Sequence, residues 1–187
     1  RVQFEGEGDA DVKILNEAQQ QAFQEIESIF KEKSVALLHG VTSSGKTEIY
    51  VQLIQKQLEL GKQVLYLLPE IALTTQLVQR LQDYFGDKVA VFHSRYSGNE
   101  RVEVWNNMLN NSEKAQVIIG ARSSLLLPFS NLGLIIVDEE HESSYKQFDP
   151  APRYHARDAA IVLANLFKAK TLLGSATPSL ESYYNAS

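Results

Sequence analysis

The sequence predicts an α/β domain, a parallel sheet with helices on both faces, and three observations carry that prediction. Six short apolar runs, at residues 35–39, 63–68, 88–92, 116–119, 132–137 and 170–173, have the length and aliphatic content of strands buried on both sides. Stretches with helical spacing, at 46–60, 70–85, 98–109 and 155–167, alternate with them, the order that produces a parallel sheet. The runs are followed by Gly40, Pro69, His93, Gly120, Asp138 and Gly174, each opening a segment rich in Gly, Ser, Thr, Arg or acid. Such folds bind ligands at the carboxyl ends of their strands.

Residues 1–14 carry glycines and acids and read as a linker from a missing N-terminal region; residues 15–187 read as one domain that begins with a helix at 16–31. A chain of 187 residues is long enough for one substantial core. With 44% hydrophobic and 22% charged residues it is ordinary for a soluble globular protein. No apolar run approaches the roughly eighteen residues a membrane span needs. Cysteine is absent, so disulfides and cysteine-bound zinc are excluded within this segment, and a cytoplasmic location fits. The net charge of −5 argues against affinity built on bulk phosphate neutralisation, so any nucleic-acid contact must be local.

The strand at 35–39 runs into Gly40-Val41-Thr42-Ser43-Ser44-Gly45-Lys46-Thr47, a phosphate-loop pattern in its required strand-to-helix context. Small residues let successive backbone N–H groups turn toward phosphate oxygens, and the helix N-terminus adds positive potential. Lys46 supplies a mobile charge for the β- and γ-phosphates of ATP, and Thr47 a hydroxyl ligand for Mg²⁺. Upstream, Gln19 taken alone reads as a surface glutamine. Beside these motifs its amide reads as a recognition group for an adenine edge.

The strand at 132–137 ends in Asp138-Glu139-Glu140-His141. Its first carboxylate, Asp138, is suited to the Mg²⁺ shell, usually through water, and Glu139 to orienting or deprotonating the attacking water. No phosphoryl-acceptor signature accompanies the acids, so hydrolysis is favoured over transfer. Roughly 15 residues then precede the next helix, a length that marks functional or disordered loops. Rings and cations alternate there (Tyr145, Lys146, Phe148, Arg153, Tyr154, Arg157), as stacking on single-stranded bases requires, although a loop pinned to the core by its aromatics has the same composition.

Together these segments resemble the superfamily 2 helicases of the DExH type, and more narrowly the first helicase lobe of the primosomal protein N′ (PriA) family. The resemblance rests on the phosphate loop with Glu48, Leu68-Pro69-Glu70-Ile71-Ala72-Leu73-Thr74, Gly120-Ala121-Arg122-Ser123-Ser124 and the acidic box continued by Glu142-Ser143-Ser144-Tyr145-Lys146-Gln147. Arg153-Tyr154-His155-Ala156-Arg157-Asp158 and Gly174-Ser175-Ala176-Thr177-Pro178-Ser179-Leu180-Glu181 extend it, so that it covers nearly the whole chain from Leu15. It implies a RecA-like fold, the lobe 1 form of the P-loop NTPases. It also implies an ATP- and Mg²⁺-dependent DNA helicase that moves 3′ to 5′ and is loaded at stalled forks with other primosome proteins.

By the same resemblance Gln19 recognises adenine, while His141, Ser175, Ala176 and Thr177 couple nucleotide state to lobe movement. Thr74, His93, Ser94, Arg122, Tyr145, Lys146, Arg153 and Tyr154 contact single-stranded and forked DNA. The chain departs from the pattern at Ser43-Ser44, where a glycine is expected, and at Phe148, where some relatives carry tryptophan. A second lobe, an N-terminal DNA-binding region and zinc are expected only in parts of the protein missing here, which makes the isolated chain a weak hydrolase. Another superfamily 2 translocase, or a nucleotide-dependent switch without strand separation, are the alternatives.

Overall fold

The computed structural model describes residues 8, 10–40, 43–94 and 96–178. Six strands, β1 (Val35–His39), β2 (Gln63–Leu67), β3 (Val89–Phe92), β4 (Val117–Gly120), β5 (Leu132–Asp138) and β8 (Lys170–Ser175), form one parallel sheet in the order β1-β8-β5-β2-β4-β3. A short antiparallel ribbon of β6 (Lys146–Gln147) and β7 (Tyr154–His155) lies within the long loop. Five helices complete the described architecture: α1 (Glu17–Glu32), α2 (Ser43–Glu59), α3 (Thr75–Phe85), α4 (Gly98–Leu109) and α5 (Ala156–Leu166). No helix among the described residues is long and apolar enough to cross a membrane.

Strand side chains alternate between the two faces and so sort the core into two layers. Val64, Tyr66 and Leu68 pack with Ile26 of α1, Tyr50 and Ile54 of α2 and Leu81 of α3. Their neighbours Leu65 and Leu67 pack with Val104 and Met108 of α4 and Ala156, Ala160 and Ala164 of α5. Every residue of β5 is buried, because β2 and β8 flank it and helices cover both faces. The predicted fold class is therefore the observed one, and the six predicted strands are the six strands of the sheet.

The departures are local. The helix expected over 70–85 is divided: a single 3-10 turn spans Glu70–Ala72, Leu73 leaves helical backbone, and α3 starts afresh. Thr74 causes the restart, since its hydroxyl accepts the Leu77 N–H at 3.2 Å and caps the new helix. Part of the expected linker is docked. The Ala10 N–H donates to the Asp83 carbonyl at 3.0 Å, Gln52 donates to the Lys13 carbonyl at 3.2 Å, and Val12 packs against the core. These contacts join distant residues, so no local periodicity announces them.

Gly120, which ends β4, shows how tightly the strand ends are drawn together. A Cβ there would stand 2.7 Å from both the Phe92 carbonyl oxygen and the Ser124 Cβ, so the backbone itself would have to move. Gly120→Ala is expected to lower stability by about 1–3 kcal/mol through overpacking. Thermal melting reads this directly, and an unchanged midpoint would show that the turn at 120–124 yields without cost.

Candidate functional site

β1, β8 and β5 deliver the site because their carboxyl ends are flush: Leu38 pairs with Gly174, and Gly174 with Asp138. The Gly40 N–H donates to the Ser175 carbonyl at 3.1 Å, carrying the register one residue into the phosphate loop. Val41, Thr42 and the side chains of Ser43 and Ser44 lie outside the described residues. Gly45, Lys46 and Thr47 follow in the first turn of α2, where the helix N-terminus favours anions.

Lys46 is 3% exposed and faces the acidic box, its Nζ 3.7 Å from Asp138 Oδ1 and 3.4 Å from Glu139 Oε1. An ammonium that deeply buried requires such partners. Asp138 is the best-anchored carboxylate of the site. Tyr50 and the Glu139 N–H donate to its Oδ1 at 3.0 and 3.1 Å, and Tyr66 donates to its Oδ2 at 3.1 Å. Burial nevertheless holds its pKa above the ordinary carboxylate value, with Lys46 and the two phenols pulling the other way. Burial and the neighbouring carboxylate raise all three surrounding phenols, Tyr50, Tyr66 and Tyr145, well above their usual range. Glu139 sits in left-handed backbone, φ +49°, in the turn that leaves β5. A non-glycine residue held there marks a conformation imposed by its surroundings.

The remaining site residues fall into two groups. In the first, His141 Nδ1 lies 2.6 Å from the buried Ser175 hydroxyl, which also accepts the Thr177 N–H at 3.0 Å, with Ala176 between them. The structure thus brings the expected coupling residues together, at the end of the strand that separates β1 from β5. Gln19 belongs here too: its Oε1 accepts the Asn16 N–H at 2.9 Å and its Nε2 donates to the Gly45 carbonyl at 3.1 Å, fastening α1 to the phosphate loop.

The second group lines the ends of β2, β3 and β4. A cleft of about 320 Å³ is bordered by Leu68, Pro69, Glu70, Ile71, Arg122 and Ser144. Thr74 and Ser94 are exposed, the latter donating to Glu70 at 3.1 Å. Arg122 is spent inside the protein in part, its Nη1 donating to the Ser144 and Lys146 carbonyls at 3.1 and 2.9 Å. Two expected DNA contacts are corrected. Tyr145 is 1% exposed, and its hydroxyl lies 2.5 Å from the Asp138 carbonyl and 3.1 Å from the Leu67 carbonyl; the ring is core, closed to any base. His93 is likewise buried, edge-on to Tyr96. The ring that the loop does expose is Phe148, 63% accessible, with the Lys146 ammonium 4.9 Å from its centroid. Arg153 is exposed, and Tyr154 is half-buried in the ribbon.

Sequence reasoning missed Tyr50, Tyr66 and the pairing of Glu140 with Arg157. The tyrosines occupy apolar positions of a helix and a strand, and the available signal was that a buried phenol needs a hydrogen-bond partner. Glu140 and Arg157, both nearly inaccessible, meet at 3.4 Å and close the base of the loop between the acidic box and α5.

The chain belongs to the DEAD/DEAH box helicase family, whose model matches residues 16–186. Within that class its relatives include proteins named replication restart protein PriA. It is 49% identical over 174 residues to the one from Bacillus subtilis (strain 168), covering 92% of this chain and 21% of that protein. With the Haemophilus influenzae protein the identity is 52% over 172 residues, 91% of this chain and 23% of the relative. The chain therefore spans less than a quarter of the length of these relatives. Among solved structures, RecG bound to a three-way DNA junction superimposes with a TM-score of 0.65 at 27% identity, over 93% of this chain and 22% of that one. The UvsW helicase from bacteriophage T4 shares the fold with a TM-score of 0.60 at 20% identity, over 93% of this chain and 56% of that one.

Removing Arg157 would take from the buried Glu140 carboxylate the guanidinium it meets at 3.4 Å. Arg157→Met is expected to cost about 3–5 kcal/mol in urea unfolding. Arg157 also meets Asp158 at 2.8 Å, but that carboxylate is 59% exposed, and Asp158→Asn should cost no more than about 1 kcal/mol. Equal losses in the two variants would contradict the buried pair as the stabilising one.

Proposed function

We propose that this chain is the ATP-binding motor lobe of a cytoplasmic replication-restart DNA helicase, coupling ATP hydrolysis to 3′-to-5′ translocation and unwinding at stalled forks alongside other primosome proteins. The observation that carries the reading is the convergence of Lys46, Asp138 and Glu139 within 3.7 Å at the mouth of one parallel sheet. Supporting it are the relatives named replication restart protein PriA and the likeness to RecG bound to a three-way DNA junction.

The donor set suits Mg²⁺. Thr47, Asp138 and Glu139 line one cleft of about 320 Å³, and the described residues contain no cluster of three or more His, Cys, Asp or Glu side chains that would cage a metal. Mg²⁺ is commonly held by one or two carboxylates, a hydroxyl, water and substrate phosphates rather than by such a cage. Thr47 and Asp138 would hold it here, and when bound it supplies charge neutralisation across the β- and γ-phosphates. Lys46 exchanges its two carboxylate partners for phosphate oxygens as ATP enters. That exchange frees Glu139 to orient the attacking water and accept its proton. Gln19 reads the adenine edge by giving up its hold on Asn16 or Gly45. On the DNA side, the exposed set of Thr74, Ser94, Lys146, Phe148 and Arg153 tracks backbone and bases without reading sequence.

Lys46→Ala is expected to weaken Mg²⁺–ADP binding by on the order of tenfold or more, about 1.4 kcal/mol or above. Isothermal titration of both proteins decides it, and equal affinities would refute the site. Turnover by this chain alone should be slow. Arg80, Arg122 and Arg157 are each engaged within the lobe, by Glu48, by loop carbonyls and by Glu140. A finger arginine supplied from elsewhere is worth ~10³–10⁵ in rate. Steady-state ATPase equal to that of a longer chain carrying the second lobe would show that this lobe is catalytically complete.

A further inference from the structure

We propose that Tyr50 and Tyr66 are positioning residues that lock the Asp138 carboxylate so that a single oxygen position, on Oδ2, is presented to the metal. The inference rests on the nucleotide-site reading above and goes beyond it by assigning a role to two residues of the hydrophobic core.

An ionised carboxylate offers about four acceptor positions, two on each oxygen. At Asp138 Oδ1 both are taken, by the Tyr50 phenol at 3.0 Å and the Glu139 N–H at 3.1 Å. At Oδ2 the Tyr66 phenol takes one at 3.1 Å, which among the described residues leaves one open. The two donors come from different elements, α2 and β2, and so restrain the carboxylate about the one torsion that would otherwise be broad. The phenols are themselves braced: the rings meet edge to face, centroids 5.5 Å apart at 76°, and both are at most 1% exposed.

Gly174 makes the arrangement possible. It lies on β8, between the strand that leads to the phosphate loop and the strand that carries Asp138. A Cβ at Gly174 would fall 1.8 Å from the Tyr50 hydroxyl and 3.1 Å from Asp138 Oδ1. The absent side chain is thus the passage through which a phenol from α2 reaches a carboxylate on β5. Tyr50 and Asp138 are 88 positions apart in sequence, and only this gap in an intervening strand lets them meet. Tyrosine at such a position fills core volume as phenylalanine would; what the hydroxyl adds is a fixed orientation for Asp138.

The test is titration of a fluorescent ADP analogue into the unmodified chain and into Tyr50→Phe and Tyr66→Phe, once in EDTA and once across a MgCl₂ series, with melting temperatures recorded without nucleotide. Each Phe variant is expected to raise the MgCl₂ concentration for half-maximal enhancement of binding by about 3- to 10-fold, while metal-free affinity stays within twofold. Gly174→Ala should show the same metal defect, and adding Tyr50→Phe to it should relieve rather than deepen the loss of melting temperature, because the clashing hydroxyl is gone. Unchanged Mg²⁺ dependence in both Phe variants would overturn the inference, and so would equal losses of binding with and without Mg²⁺ or failure of both variants to fold, since the phenols would then be packing alone. Absence of nucleotide binding by the unmodified chain would instead refute the proposed function, and this inference with it.

Discussion

The site depends on one spatial constraint: the strand that carries the acids is not next to the strand that leads to the phosphate loop. β8 lies between them, and Lys46 and Asp138 must meet across its end. Everything near that end accommodates the crossing. Gly174 removes the side chain that would block it, Ser175 bonds the Gly40 N–H through its carbonyl and approaches His141 through its hydroxyl, and the Gly174 carbonyl accepts the Glu140 N–H at 3.1 Å. A displacement of β8 relative to β5 would therefore alter the loop, the acids and the imidazole at once. Residues 174–177 are thus where the contacts of all three meet.

Buried charge is the second organising cost. Lys46, Asp138, Glu140 and Arg157 all lie almost beyond the reach of solvent, and each is answered by an opposite charge or by phenols and backbone groups. A catalytic pocket needs groups partly stripped of water so that they act strongly on the substrate, and stripping them destabilises the empty protein unless neighbours replace the lost hydration. Here the replacement is shared among Tyr50, Tyr66, Lys46 and Arg157, drawn from α2, β2 and α5. The core of this lobe thus doubles as the support of its chemistry.

The loop after the acidic box is built on the same footing. Tyr145 ties its first turn to the carbonyl of Asp138, the Glu140–Arg157 pair closes its base, and Arg122 holds its backbone. Lys146 and the whole stretch 148–153, with Phe148 and Arg153 in it, stand out toward solvent. A ligand pulling on that tip acts on a segment already fastened to β5, and the fastening is through core tyrosine and main chain rather than through a surface ring.

The sequence by itself determined the fold class and all six sheet strands, and it singled out Lys46, Asp138 and Glu139, whose side chains the fold brings together. Those are local properties: apolar runs of strand length, helical spacing, and motifs whose residues are neighbours in the chain. It also supplied His141 and Ser175, through a resemblance carried by contiguous segments. Only the tertiary structure decided which rings are core and which are surface. Tyr145 and Phe148 lie three positions apart in one polar loop, and nothing in their flanking residues separates the buried one from the exposed one. Nor could the sequence show that Tyr50 and Tyr66 serve Asp138, that Arg157 answers Glu140, or that residues 10–13 are docked. Each of these pairings joins elements distant along the chain, and their partners are set by strand order and by a missing Cβ at Gly174, neither of which leaves a periodic trace in the residues themselves.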